Sequence, residues 1–151
     1  MPRGYGIALG EEGLLPWSWA EERLTTSRNY WIVSADARGR PHAMPVWGLW
    51  LDGAVWFSSD GDSRKSRNIS VRPRIVVHLE SGDEVVIVEG DADEVRDRPT
   101  LAPFARAYGR KYGFRFDLEH PIGLVYRVRP GAVVGWLEED FPSTATRWRF
   151  D

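Results

Sequence analysis

The first half of the chain alternates short apolar runs with turn residues, a pattern typical of antiparallel strands. The predicted strands are Tyr30–Ala35, His42–Leu51 and Val55–Ser58. Asp52-Gly53 separates the last two strands and is a strong hairpin signal. A helix over Trp17–Arg28 is predicted before them, because Ser18 and Glu21 have the spacing of a capping box and apolar residues recur near helical period.

The second half continues this pattern and adds two helices. A short helix is predicted to begin after Asp62 or Ser63 and to end before Pro73, because the residue preceding proline resists helical geometry. A longer helix begins near Pro99 and ends at Gly113, with its apolar residues on one face. The remaining predicted strands are Arg74–Glu80, Glu84–Val95, Leu124–Val128, Ala132–Leu137 and an extended tail, Thr144–Phe150.

These elements predict a fold that is mainly β with a few helices. Seven or so strands favour a closed antiparallel β-barrel, because closure removes the unpaired edges of an open sheet. A β-sandwich is the alternative that the pattern leaves open. The length of 151 residues suits one domain, 1–151, and the glycine-rich residues 1–14 are predicted to form a flexible loop.

Composition and charge exclude several classes of protein. The absence of cysteine excludes disulfides, thiolate catalysis and cysteine-ligated metals, and three scattered histidines predict no metal site. A net charge of −2 provides no general attraction for nucleic acid or anionic membrane. The chain has no secretory signal pattern and no run of about 18 apolar residues. We therefore expect a soluble cytoplasmic protein with no nucleic-acid or membrane partner.

The second predicted strand is apolar on both faces. Its apolar residues are Ala43, Trp47, Leu49 and Leu51 on one face and Met44, Val46 and Trp50 on the other. A strand with a solvated face would alternate apolar and polar residues. A second subunit, a flat ligand or the chain's own helices must therefore cover this strand, and Pro45 and Gly48 interrupt its regularity where a ligand could approach the backbone.

The strongest local signal follows the third predicted strand. This strand ends in Ser58-Ser59, a glycine-containing turn follows, and the next helix presents Arg64 and Lys65 in its first turn. N–H groups at a helix N-terminus attract anions, and charged donors and hydroxyls add hydrogen bonds to a phosphate. The segment 61–74 contains five basic residues and one acidic residue. It is interpreted as an anion site, with a solvated basic helix face as the alternative.

The sequence gives little support for nucleotide binding or for nucleophilic catalysis. The anion segment lacks the P-loop signature, and its antiparallel surroundings do not suit a dinucleotide-binding fold. No persuasive set of serine, histidine and aspartate is present for nucleophilic catalysis. His42 is a possible proton donor, whereas His78 is interpreted as a structural barrel residue and His120 as a loop residue. Lys111 is interpreted as a cation that stabilises the C-terminus of its helix.

Five blocks of sequence occur in a characteristic order: Gly39–Trp47, Val55–Ser59, Ser63–Ile69, Arg72–Arg74 and Thr146–Phe150. They resemble the split β-barrel flavin and deazaflavin oxidoreductases, relatives of pyridoxamine 5′-phosphate oxidase, and most of all the branch that uses the deazaflavin coenzyme F420. The resemblance implies a homodimer with shared cofactor sites that transfers hydride from reduced F420 to an unsaturated small-molecule substrate. An FMN-dependent oxidoreductase of the same fold and a non-catalytic F420 carrier are the alternatives.

The resemblance also implies roles for individual residues. The residues expected to hold the cofactor phosphate are Ser58, Ser59, Arg64 and Lys65, with Asn68 as a neighbour. The residues expected along the cofactor ring are Met44, Pro45, Val46 and Trp47. The residues expected to reach the site from the second subunit are Trp136, Arg147 and Trp148. Because the ring itself carries the hydride, the protein need only bind and orient two planar molecules.

Overall fold

The computed structural model describes residues 14–119, 121 and 123–150, so the predictions for residues 1–13 and His120 lie outside the described residues. In chain order the elements are α1 (Trp17–Thr26), β1 (Asn29–Ala35), β2 (Pro41–Leu51), β3 (Ala54–Ser59), α2 (Arg64–Val71), β4 (Arg74–His78), β5 (Glu84–Val95), α3 (Arg98–Tyr112), β6 (Leu124–Leu137), α4 (Phe141–Thr144) and β7 (Thr146–Arg149). A single 3₁₀ turn, Glu138–Asp140, precedes α4.

The strands form one antiparallel sheet that closes on itself. The strand order is β3-β2-β1-β4-β5-β6-β7, and β3 also pairs with β6. This second pairing closes six strands into a barrel and leaves β7 as an extension beside the second half of β6. The predicted closed antiparallel barrel is therefore confirmed.

The barrel is split between β2 and β3. The first part of β2, residues 41–47, pairs with β1, whereas its pairing with β3 covers only Gly48–Leu51. Among the described strands, none pairs with the second edge of β2 before Gly48. Helix α2 lies near this gap, because Asn68 at its centre donates a hydrogen bond to Ser34 on β1. The gap leaves backbone groups of β2 available to a ligand.

Two hydrophobic clusters stabilise the barrel and the helix packed against it. The larger fills the barrel, with Tyr30, Phe57, Val88 and Val128 among its buried side chains. The smaller joins α3 to the outside of the barrel, where the buried Phe104 stacks on Trp56 with ring centroids 5.9 Å apart. Since α3 is attached by this second cluster, the end of α3 has a fixed position relative to β2.

Several predicted boundaries require correction. Ser18 was expected to cap α1, but Pro16 is the N-cap residue, no side chain caps this helix, and Ser18 lies within it. The backbone at Pro16 is extended, with φ −70° and ψ 152°, so the helix begins at Trp17 as predicted, but it ends at Thr26 instead of Arg28. Strand β4 ends at His78 instead of Glu80. The predicted tail strand begins at Thr146, because Thr144 belongs to α4.

The most distinct correction concerns β6, which was predicted as two strands and is one. Glu89 of β5 pairs with Ala132, and the next residue, Gly90, pairs with Pro130. Gly131 is thus the extra residue of a β-bulge, which lets the strand continue through a proline. The two backbones come so close that a Cβ atom on Gly90 would lie 2.4 Å from the carbonyl oxygen of Arg129.

We predict that Gly90→Ala lowers the free energy of unfolding by about 1–3 kcal/mol, the usual cost of overpacking. The added methyl group meets backbone, which cannot rotate away as a side chain would. Urea denaturation measures the effect. Gly82→Ala is the control, because a Cβ there has no atom within 4 Å. Equal stability of the two variants would contradict the close approach at the bulge.

Candidate functional site

The start of α2 is joined to the end of β3 by hydroxyl groups. Ser63 caps the helix, and its Oγ accepts a hydrogen bond from the Ser66 N–H at 3.1 Å. The Oγ atoms of Ser59 and Ser63 lie 2.9 Å apart in a further hydrogen bond. Ser63 is thus the cap that the sequence offered as one of two choices. The N–H groups of Arg64 and Lys65 have no backbone partner among the described residues, as expected for the first turn of a helix.

Lys65 is the most unusual cation of the site. Its side chain extends from the first turn of α2 towards β2, where Nζ lies 3.8 Å from Sδ of Met44. Only 6% of Lys65 is exposed, and no carboxylate among the described residues lies within ion-pair distance. Burial lowers the pKa of its ammonium group. A buried ammonium without a counter-ion is costly, and a bound anion would remove much of that cost.

The other basic residues of the segment separate into two groups. Arg72 donates a hydrogen bond to the carbonyl oxygen of Ala37, and Arg74 forms an ion pair with Asp91. Arg64 and Arg67 are exposed and make no ion pair with any carboxylate among the described residues. The segment is therefore more than a solvated basic face, because Lys65 is buried and two arginines beside it remain available.

His42 of β2 lies beside these cations. Its Nδ1 is buried and has no hydrogen-bond partner within the described part of the chain. Burial lowers the pKa of the imidazole, and the charges of Arg64 and Lys65 lower it further. The ring is therefore mostly neutral at pH 7, and its unpartnered nitrogen is available to a ligand.

The predicted ring-binding residues lie along the unpaired edge of β2. Met44 is 45% exposed and Trp47 is 38% exposed, so the chain's own helices leave this part of the strand open. Backbone polar groups of an antiparallel strand point alternately to its two sides. Those of Gly48 face the start of β1, where the Tyr112 hydroxyl contacts both Gly48 and Arg28. The backbone polar groups of Ala43, Pro45 and Trp47 accordingly face the gap. The side chain of Val46 is half-buried against the barrel core.

Asn68 follows Lys65 by three residues on α2, and Ser58 precedes Ser59 on β3. Neighbouring residues of a strand point to opposite faces. The Ser59 hydroxyl bonds to Ser63, and both Ser58 and Ser59 line a cavity on the α3 side of the sheet. Asn68 is buried and donates to the Ser34 hydroxyl at 3.1 Å. In this chain Asn68 positions α2 on the barrel.

The three residues expected from a second subunit lie on β6 and β7. Their contacts within this chain are Trp136 with Phe141, Arg147 with Glu89, and Trp148 with Trp17. These contacts do not join them to α2 or Met44. Their expected contribution across a subunit boundary stays a prediction.

The contacts that Lys111 and Tyr112 make with β2 were not predicted from the sequence. Lys111 was expected to stabilise the end of α3, but its Nζ donates to Tyr30 Oη at 2.9 Å and to the Gly48 carbonyl at 3.1 Å. Burial and the nearby Arg28 lower the pKa of Lys111 to about 8. The Tyr112 ring stacks on Trp47, with centroids 4.6 Å apart and planes 5° from parallel. Lys111 and Tyr112 together fix β2 at Trp47 and Gly48, where its pairing with β1 ends and its pairing with β3 begins.

Comparison with known proteins identifies the family and the fold. The family model for pyridoxamine 5′-phosphate oxidase matches residues 19–136. Among curated proteins, none matches the chain. Within the described residues, no helix is long and apolar enough to span a membrane, and no group of three or more His, Asp or Glu residues could hold a metal ion.

Three solved structures are similar in fold. An F420 reductase has 21% sequence identity and a TM-score of 0.60, with 88% of this chain and 98% of that chain covered. A FAD-binding protein from Mesorhizobium loti has 20% identity and a TM-score of 0.67, covering 80% and 92%. The heme storage protein from Vibrio cholerae has 16% identity and a TM-score of 0.61, covering 76% and 86%. At these identities the likeness establishes the fold alone.

We predict that His42 titrates below its ordinary pKa and that Lys65→Met raises this value, because one of the nearby positive charges is removed. Burial, the larger cause, remains, so the pKa should stay below about 6.5. Nuclear magnetic resonance of the imidazole proton measures the titration. Because the unfolded chain binds this proton more readily, His42 should also reduce stability as pH falls through the unfolded-state value.

Arg67→Met serves as the matched control for this measurement. It also removes a positive charge from α2, but Arg67 is not among the causes of the lowered His42 pKa. The pKa of His42 should be unchanged in this variant. An equal shift in both variants would mean that the electrostatic effect is general to α2 and not local to Lys65.

Proposed function

Since this chain belongs to the pyridoxamine 5′-phosphate oxidase family, we propose that it binds the phosphate of a flavin-type cofactor at the start of α2 and acts as an oxidoreductase. The preferred cofactor is coenzyme F420, with FMN as the alternative. The observation that carries the proposal is the buried Lys65, whose ammonium group has no anionic partner among the described residues.

The donor groups around Lys65 fit a phosphate. The first-turn N–H groups of Arg64 and Lys65 are available, and the Ser59 and Ser63 hydroxyls lie beside them. Charge-assisted donors and a helix N-terminus both favour a phosphate over a neutral ligand. The buried Nδ1 of His42 is a further group that a ligand could satisfy.

The unpaired edge of β2 fits the ring of the same cofactor. Trp47 offers an N–H donor and a carbonyl acceptor at the gap, and Pro45 offers a carbonyl alone. The exposed Met44 and Trp47 provide apolar surface beside these polar groups. When bound there, the cofactor would supply the hydride. The contribution of the protein would be to orient the ring along β2 and to exclude water.

His42 suits hydrogen bonding better than proton donation. Its lowered pKa makes the imidazolium scarce at neutral pH. A general acid acts best when its pKa is near the working pH. We therefore assign His42 to ligand orientation and leave the proton to solvent or another group.

The arginines near Lys65 favour F420 over FMN. F420 carries a polyanionic glutamate tail, whereas FMN has a single phosphate. The exposed Arg64 and Arg67 make no ion pair with described carboxylates and could meet that tail, while Arg72 and Arg74 already have partners. The attraction between such exposed charges is screened by salt. F420 affinity should accordingly fall with ionic strength more steeply than FMN affinity.

A homodimer is part of this proposal, because an outward face of the barrel is apolar and incompletely covered. Pairing of β2, β1, β4 and β5 aligns Pro45, Trp31, His78 and Ile87 in one row. Trp31 stacks on His78 with planes 4° apart and is only half-buried. A second copy on this face would exclude water from the row and could bring its Trp136, Arg147 and Trp148 to the cofactor. A non-catalytic cofactor carrier remains the alternative, since a heme storage protein shares the fold.

We predict that Lys65→Met weakens cofactor binding by roughly 10- to 150-fold, the equivalent of about 1.5–3 kcal/mol for a charged hydrogen bond. The same change should leave the stability of the free protein unchanged or raise it, because an uncompensated buried charge is removed. Calorimetric titration with F420 and with FMN measures affinity, and urea denaturation measures stability. Arg72→Met is the control and should bind normally.

Each result has a separate meaning. Unchanged cofactor affinity in Lys65→Met would reject the phosphate assignment. Binding without oxidation of reduced F420 by any of several enones and quinones would favour the carrier. A yellow, FMN-containing protein on purification would favour the FMN alternative.

We predict that the protein sediments at twice its subunit mass of 17.2 kDa and that Trp31→Arg yields monomers. The substitution places a charge at the centre of the apolar row, where burial against a second copy would be costly. Analytical ultracentrifugation measures the mass. Arg38→Ala, in the exposed turn after β1, is the control. A monomeric natural protein would contradict the shared-site arrangement.

A further inference from the structure

The side chain of Lys111 extends from the last turn of α3 to the point where β2 changes its pairing partner. Its Nζ donates to the carbonyl oxygen of Gly48 at 3.1 Å and to the hydroxyl of Tyr30 at 2.9 Å. Strand β2 pairs with β1 as far as Trp47 and with β3 from Gly48 onwards. Lys111 therefore holds β2 at the residue that directly follows its unpaired edge.

The Tyr30 hydroxyl connects this contact to the barrel core. Tyr30 is fully buried, and its hydroxyl donates to the carbonyl oxygen of Leu24 at 2.5 Å. A hydroxyl group that donates one hydrogen bond can accept another, so Tyr30 accepts from Lys111 at the same time. A chain of hydrogen bonds thus runs from α1 through β1 to the end of α3, and Lys111 extends it to β2.

The neighbouring Tyr112 cannot replace Lys111 at Gly48. The Tyr112 hydroxyl accepts from the N–H of Gly48 and lies 2.7 Å from the carbonyl oxygens of both Gly48 and Arg28. A hydroxyl has a single proton, so it donates fully to only one of these two oxygens. The ammonium group of Lys111 supplies the further donor. The Tyr112 ring, held in this way, stacks on Trp47.

We propose that Lys111 is a positioning residue for the cofactor ring, because it fixes Gly48 and, with it, the adjacent backbone of Trp47 along which the ring is expected to lie. This role rests on the proposed function, which assigns the ring to the unpaired edge of β2. Lys111 acts through the backbone of β2 and is assigned no contact with the ring. An edge that is ordered before binding loses less conformational freedom when a flat ligand binds to it.

The charge of Lys111 makes this role dependent on pH. Burial and the charge of Arg28 lower the pKa of Lys111 to about 8. The described groups that face its ammonium are Tyr30 of β1, Tyr112 of α3 and Arg28 between α1 and β1. Burial raises the pKa of both tyrosines, and arginine is charged throughout this range. As the pH rises through about 8, Gly48 therefore loses a charged donor, and a neutral amine donates more weakly.

Stability and ring affinity are expected to change in opposite directions over this range. The unfolded chain, in which Lys111 has its ordinary pKa of 10.5, binds the proton more readily than the folded chain. The contribution of Lys111 to the free energy of unfolding therefore rises as the pH increases above about 8. Urea denaturation of the natural protein and of Lys111→Met isolates this contribution as a difference. A loss of ring affinity that came from unfolding would be accompanied by falling stability instead.

Titration with phosphate-free ring compounds tests the role of Lys111 apart from the phosphate site. The probes are riboflavin and the deazaflavin that remains when the phosphate and tail of F420 are removed. Fluorescence quenching should show that affinity for the ring that binds falls by about 2- to 12-fold as the pH rises through about 8, the effect of one hydrogen bond. Lys111→Met should have the lower affinity at every pH.

Two variants act as controls for this titration. Lys111→Arg retains a positive charge throughout the range and should restore most of the affinity while removing the pH dependence. Arg110→Met removes an exposed charge from the neighbouring position on α3 and should keep the natural pH profile. Titration of a probe itself would affect all the variants equally, so the comparison with Lys111→Met at each pH removes it.

Nuclear magnetic resonance tests the positioning in the free protein. The amide resonances of Trp47 and Gly48 should shift with a midpoint near pH 8 in the natural protein and should not shift there in Lys111→Met. The amide of Gly53, in the hairpin at the other end of β2, should show no such shift in either protein. Amide resonances of Trp47 and Gly48 that do not titrate near pH 8, or equal ring affinity in Lys111→Met and the natural protein, would overturn the inference.

Lys65→Met distinguishes failure of this inference from failure of the proposed function. The ring probes have no phosphate, so this variant should bind them normally while it loses affinity for F420 and FMN. Ring binding that is independent of pH and of Lys111, together with lost F420 binding in Lys65→Met, would reject the role of Lys111 alone. Absence of binding of both ring probes and both cofactors would reject the proposed function and this role with it.

Discussion

The site depends on one electrostatic constraint, a lysine ammonium group that is buried with no carboxylate partner among the described residues. Lys65 extends from the start of α2 to Met44 on β2, and its position is fixed because Ser63 and Ser59 connect the helix to the end of β3. Such an arrangement adds nothing to the stability of the barrel by itself. A bound anion, as the proposed function requires, would remove much of the cost of the buried charge.

The gap between β2 and β3 ends at Gly48, where α3 contacts β2. Six closed strands would be more stable if β2 and β3 paired along their whole length, since each unpaired backbone group loses a hydrogen bond. At Gly48 the Tyr112 hydroxyl and the Lys111 ammonium contact the backbone of β2, and Trp47 stacks on Tyr112. A Cβ atom at Gly48 would lie 2.9 Å from the Trp56 carbonyl oxygen, so glycine also permits the close approach to β3. Contacts from α3 and the close approach to β3 thus both fix β2 at Gly48, the residue at which its pairing with β3 begins.

Local signals in the sequence were sufficient to predict most of the fold. Features that depend on long-range contacts could not be predicted from them. The hairpin at Asp52-Gly53, the cap at Ser63 and the αL glycine at position 113 each act within a few residues, and each agrees with the structure. The partners of Lys111 are 63 and 81 residues away, so its role could not be read from helix position. The continuity of β6 depends on a bulge against β5, again a tertiary feature. The alternation of Ser58 and Ser59, by contrast, follows from strand period alone and was available from the sequence.

Ser58 and Ser59 lie at the end of β3, where the strand meets α2. The Ser59 hydroxyl is bonded to Ser63, the cap of α2, and both serines line the cavity beside α3. Gly123 packs so closely behind this strand that its Cβ would lie 2.7 Å from the Ser59 carbonyl oxygen. A shift of the strand end would therefore displace both hydroxyls together, and backbone packing limits such a shift. The hydroxyl groups that join β3 to the start of α2 are thus held in place by backbone packing.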